Sequence, residues 1–156
     1  MGRALAAAAL AATLAVGVSV AQGRGEGRHA KALPGLPAYT AGYTSWFKIN
    51  RRPLPRRTSD PHDGTKNVYA SKRLRAGKYP FGTVIVKEAF RAGERAPYLV
   101  AVMRKVRGAS PRNNDWIMIE WTRSSARDRF AEVARGQVCY GCHVGAKKTD
   151  YVFTRR

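Results

Sequence analysis

Three short runs of apolar, largely β-branched residues constrain this chain more than anything else in it. TVIVKEAF (residues 83–90), PYLVAVMRKV (97–106) and DWIMIEWTR (115–123) are each long enough for one strand and too short for a buried helix. The segments between them, RAGERA and RGASPRNN, are short, polar and rich in turn formers. Short connections return the chain beside itself, so the three runs are expected to pair as an antiparallel meander. An earlier element, NVYASKRLRAG (67–77), has mixed strand and helix character, and RRPLPRRTSDPHDG (51–64) reads as a long surface loop. After the third run the period changes. In SSARDRFAEVARGQ (124–137), Ala126, Phe130, Val133 and Ala134 fall on one helical face and Ser124 or Ser125 can cap it, which predicts a helix. The expected class is α+β, an antiparallel sheet domain with a few helices.

The N-terminus predicts export. Arg3 precedes an uncharged apolar run over residues 4–21, and small residues at Ser19 and Ala21 offer a cleavage site. The run is Ala-rich and no basic stop-transfer cluster follows it, so a cleaved signal (1–21) is expected rather than a membrane anchor. Residues 22–42, rich in Gly, Pro and charge, are expected to form a flexible leader. That leaves residues 43–156 as one domain, delivered to the periplasm or otherwise outside the cytoplasm.

An exported domain of this size commonly uses disulfides, yet the chain has two cysteines, both in CYGCH (139–143). Three chemistries use such a pair. Structural zinc needs four protein ligands, and the remaining histidines, His29 and His62, lie in the leader and the Pro/Arg loop. A thioredoxin-type dithiol belongs at the start of a helix after a strand, whereas this pair follows a predicted helix. Covalent haem attachment uses all three residues, with Cys139 and Cys142 adding to the two vinyl groups and His143 ligating the iron. One such motif predicts one haem c. The sixth position separates carriers from sites that do chemistry. Met103 and Met118 lie inside predicted strands, where they read as core, which favours an open or weakly held sixth site.

Charge bears on partners. The chain carries 29 Lys+Arg against 10 Asp+Glu, a net +19, and loss of residues 1–21 removes only Arg3, leaving +18. Such a field attracts anions. Export and the lack of a recognition-helix or RNP-type motif disfavour nucleic acid, so an acidic redox protein or a membrane surface is the expected partner.

The ordered set YTSWFKIN, H-DG-NVYA, GKYPFGTVIVKEAF, AVMRK, DWIMIEW and CYGCHVGAKKTDYVFT resembles the cytochrome P460 family and its relatives the β-sheet cytochromes c′. The resemblance implies an antiparallel sheet domain, commonly a homodimer, with one c-type haem, a proximal histidine and a small distal pocket. It also implies one of two activities. Cytochromes P460 oxidise hydroxylamine and join a lysine covalently to the haem; the β-sheet cytochromes c′ lack that link and bind nitric oxide or carbon monoxide. For the cross-link the resemblance offers Lys78, with Lys87 as the alternative. Glu120, inside an apolar strand, is the candidate proton acceptor, Asp115 a weaker one. Phe81, Phe90 and Trp121 are candidate distal caps, and Tyr151 and Phe153 are expected to pack on the haem. A simple electron carrier is the third reading.

Overall fold

The computed structural model describes residues 30–57 and 60–153. The predicted export signal, residues 22–29 with His29, and Thr154 lie outside the described residues. Six strands form one antiparallel sheet in chain order: β1 (Phe47–Lys48), β2 (Thr65–Ala70), β3 (Val84–Phe90), β4 (Leu99–Lys105), β5 (Trp116–Thr122) and β6 (Ala131–Arg135). One α-helix, α1 (Gln137–His143), follows β6 and runs into 3-10 turns over Val144–Thr149. Among the described residues no helix is long and apolar enough to cross a membrane.

The three apolar runs become β3, β4 and β5, paired in register: Lys87 lies opposite Ala101, and Ala101 opposite Glu120. Both faces of this sheet are covered, which is why the runs are nearly continuous rather than strictly alternating. On one face Tyr69, Val86, Val100, Val102, Ile119 and Trp121 form a core closed by Leu36 and Phe130. Within it Glu88 is buried and accepts hydrogen bonds from Tyr43 Oη (2.6 Å), Tyr69 Oη (3.1 Å) and Asn67 Nδ2 (3.1 Å). On the other face Val68, Ile85, Met103, Trp116 and Met118 pack with Tyr151 and Val152.

Two expectations need correction. The helix predicted over residues 124–137 does not form. Its first part is a turn closed by Ser125 and Asp128, and residues 131–135 extend the sheet as β6 beside β5. CYGCH therefore follows a strand after all, and what speaks against a redox dithiol is instead that burial raises the pKa of the Cys139 thiol. The apolar residues fit a helical face, but β5 presents an unpaired edge, and satisfying its backbone groups outweighs a modest propensity. The second correction concerns the leader. Residues 30–42 pack on the domain: Leu36 and Thr40 are buried, and Leu33 and Tyr39 lie against the first core. Gly35 makes the close approach. Phe130 N–H donates to Pro34 O (2.8 Å), and a Cβ on Gly35, at φ +88°, would lie 2.2 Å from Phe130 O.

Candidate haem site

α1 lies across the second face of the sheet, fastened at two points. Gly136, at φ +65°, turns the chain and donates to Met118 O (3.0 Å), while Tyr140 Oη donates to Trp116 O (2.7 Å). Cys139 is half-buried and Cys142 exposed, and both are free thiols. His143 is buried one residue further on. Burial pushes its pKa down to about 4, reinforced by the Lys87 amine and partly opposed by its bond to Tyr151 O. The ring is therefore neutral near pH 7. Because a carbonyl can only accept, the 2.6 Å contact between His143 Nδ1 and Tyr151 O puts the proton on Nδ1 and leaves the Nε2 lone pair free.

The carbonyl that orients His143 is itself aimed by a buried anchor. Asp150 and Tyr151 adopt left-handed conformations, φ +56° and +64°, that residues with a Cβ seldom take. The Asp150 carboxylate holds them there. It accepts from Lys105 Nζ (2.6 Å), Tyr79 N (2.7 Å), Trp116 Nε1 (3.1 Å) and Asn114 Nδ2.

Between α1, the sheet and residues 54–57 and 60–62 lies a cavity of about 620 Å³, lined by Cys139, Cys142, His143, Lys87, Glu120 and Phe153 among others. That volume lies within the range of roughly 300–1,000 Å³ usual for cofactor sites. A deeper apolar recess beneath it is walled by Val68, Ile85, Met103 and Met118 and shares His143, Lys87 and Glu120. Lys87 and Glu120 reach the cavity because they occupy the same side of the pleat as Ile85 and Met118. A register shift between Glu120 and Trp121 against β6 bends the strand there. Burial lowers the pKa of Lys87, with Lys66 adding to the effect and Asp60 and Glu120 opposing it.

The structure thus brings Cys139, Cys142, His143, Lys87, Glu120 and Phe153 to one cavity. Phe153 also packs edge-on to His143, with centroids 5.3 Å apart. Tyr151 stands behind the cavity in the second core, where its carbonyl rather than its ring meets His143. Lys78 is exposed, in the tight turn closed by paired bonds between Arg75 and Lys78, and does not line the cavity. Asp115 accepts from Ser110 N in a turn, Phe81 is exposed under Arg107, and Trp121 belongs to the opposite core. Neither these nor Phe90 lines the cavity.

Two participants escaped the sequence reading. The sequence puts His62 in a surface loop, yet its ring stands 6.4 Å from that of His143. Parity offers the signal for it: Lys66, Lys87 and Glu120 put charged side chains on the same face as Val68, Ile85 and Met118, which calls for polar partners there. Asp150 was read only as part of a motif.

The donor set fits a haem. Two unpaired thiols and a neutral imidazole with a free Nε2 open on one cavity of sufficient volume. Among the described residues no group of three or more His, Cys, Asp or Glu is placed to hold a bare metal ion. No significant match was found among curated proteins. The family model for cytochrome P460 matches residues 40–154, almost the whole described domain. This chain belongs to the cytochrome P460 family, whose members are haem-binding cytochromes.

Proposed function

We propose that this chain is an exported cytochrome with one haem c, attached through Cys139 and Cys142 and ligated by His143, which oxidises hydroxylamine or a related small nitrogen species. The observation that carries the reading is the meeting of these three residues with Lys87 and Glu120 in one cavity. A haem held there supplies an iron that binds nitrogen donors and takes up electrons.

The protein's own residues supply the rest. Tyr151 O fixes the His143 tautomer, so the ring is held in one orientation with Nε2 as the atom that would ligate a haem iron. Oxidation of an N–H or O–H bond releases protons with the electrons; of the two carboxylates that line the cavity, Asp60 is paired with Lys66 (2.9 Å), and Glu120 is the one we assign to take them. Lys87, half-buried and reaching the same cavity, is the better placed of the two lysines for a haem cross-link. Phe153 covers the site beside His143. Electrons then leave to an acidic carrier drawn by the +18 mature chain, and the protein works as a homodimer in the periplasm.

A second reading, a nitric oxide or carbon monoxide binder without turnover, is favoured by the apolar recess of Val68, Ile85, Met103 and Met118. Steady-state assays with hydroxylamine and an artificial electron acceptor separate the two. The first reading expects turnover that falls by roughly 10²–10⁴ in Glu120→Gln, with tryptic mapping joining the haem peptide to Lys87. Gas binding with no hydroxylamine turnover replaces it by the second.

A further inference from the structure

The sheet register sets a problem that one side chain resolves. Val68, Lys87, Ala101 and Glu120 form a row across β2 to β5 on the cavity face. Lys87 and Glu120 are two strands apart, roughly 9–10 Å between backbones at the usual strand spacing, and they form no direct ion pair. Between them Ala101 carries only a methyl group, which leaves room above the sheet.

The His62 imidazole occupies that room. Its Nδ1 lies 3.0 Å from Lys87 Nζ and its Nε2 lies 2.9 Å from Glu120 Oε2. An ionised carboxylate only accepts, so Nε2 carries the proton and Nδ1 accepts from the Lys87 amine. The side chain is 12% exposed. Both ring nitrogens thus meet a cavity residue, Nε2 at Glu120 and Nδ1 at Lys87, with Asp60 Oδ1 further off at 4.0 Å from Nδ1.

We infer that His62 is a positioning residue of this site, its imidazole holding the Glu120 carboxylate and the Lys87 amine in one fixed arrangement beside the His143 ring. The inference rests on the haem reading above. Free of the ring, Glu120 and Lys87 would each sample several rotamers, and a base that wanders from its proton loses effectiveness.

The bland alternative is that His62 merely fastens its loop. The loop, however, is fastened by other atoms. His62 N–H donates to Asp60 Oδ1 (3.0 Å), and Lys66 Nζ donates to His62 O (2.8 Å) and Gly64 O (2.9 Å). Lys66 also pairs with Asp60 Oδ2 (2.9 Å), and Leu54 and Lys66 exchange backbone bonds. Replacing the ring leaves every one of these in place.

The test is the infrared C–O stretch of carbon monoxide on the ferrous, haem-loaded protein, which reports the field of nearby polar groups. Four forms are compared: wild type, His62→Ala, His62→Asn (which keeps an acceptor near the Nδ1 position) and His62→Gln (which keeps a donor near the Nε2 position). The wild type gives one narrow band. His62→Ala shifts and broadens it or splits it, with thermal unfolding unchanged, and the Asn and Gln variants each recover part of the wild-type band. An unchanged band in His62→Ala, with haem retained and carbon monoxide bound, overturns the inference. A shift that neither Asn nor Gln reverses also overturns it, since it assigns the ring a packing role. A wild type that carries no haem and shows no band removes the haem reading itself, a result distinct from the other two.

Discussion

Replacing Asp150 by Asn tests how the segment carrying His143 is anchored. The Asp150 side chain is 0% exposed and pairs at 2.6 Å with Lys105, which is 4% exposed. Its two oxygens also serve Tyr79 N, Trp116 Nε1 and Asn114 Nδ2. The amide keeps one acceptor and turns an NH₂ toward groups that are themselves donors, while the Lys105 ammonium stays buried without its counter-charge. Breaking a buried pair from one side costs about 3–5 kcal/mol, a large share of the 5–15 kcal/mol typical of a whole domain. Lys105→Met strands the carboxylate in the same way. The double variant removes both charges and is expected to lose less than the sum of the single losses. Urea unfolding of the haem-loaded forms, followed by circular dichroism, measures all three. The same change releases the turn that aims Tyr151 O at His143, so the ferrous iron–histidine stretch moves as well. A loss below about 1 kcal/mol for Asp150→Asn, or simple additivity of the two changes, refutes the anchor.

Three further outcomes are expected. Gly35→Ala brings a Cβ to 2.2 Å from Phe130 O at φ +88°, and the backbone conformation alone costs about 1–3 kcal/mol; a lowered urea midpoint checks it. Burial and the Glu88 carboxylate push the pKa of Tyr69 up to about 12 and raise that of Tyr43 further. Both exceed the unfolded value near 10, so above that pH the folded chain holds more protons than the unfolded one. Stability therefore falls as pH rises from about 10 through 12 and beyond, and Tyr43→Phe with Tyr69→Phe flattens that fall in alkaline unfolding curves. Reduction of an acidic carrier slows as salt shortens the screening length to about 8 Å at 0.15 M; a rate unchanged by salt rules out charge-led docking.

Much of the sheet was legible because its signal is local. Residues 83–90, 97–106 and 115–123 contain β3, β4 and β5 whole, with an error of at most two residues at either end. CYGCH stands out as a cluster for a related reason, since its three side chains are neighbours that one helix carries to the cavity. What failed depends on partners distant in sequence. Residues 131–135 are a strand because β5 offers an edge, a fact absent from their own periodicity. Residues 30–42 look like a linker, but Leu36 and Gly35 meet Phe130 almost a hundred residues on. The site divided along the same line. Glu120 was singled out because a charge in an apolar strand is visible by inspection. Lys87 stood behind Lys78 because only the register shows which lysine shares a face with Met118. His62 was passed over because its loop carries no periodicity, and only the fold brings the loop over Ala101.

The mass of the chain after maturation, and of its tryptic peptides, tests covalent haem attachment most directly. One haem is expected, with Cys139 and Cys142 both modified within a single peptide that also holds His143. Free thiols, or a disulfide between the two cysteines in a chain that reaches the periplasm alongside a working haem-attachment system, would contradict it.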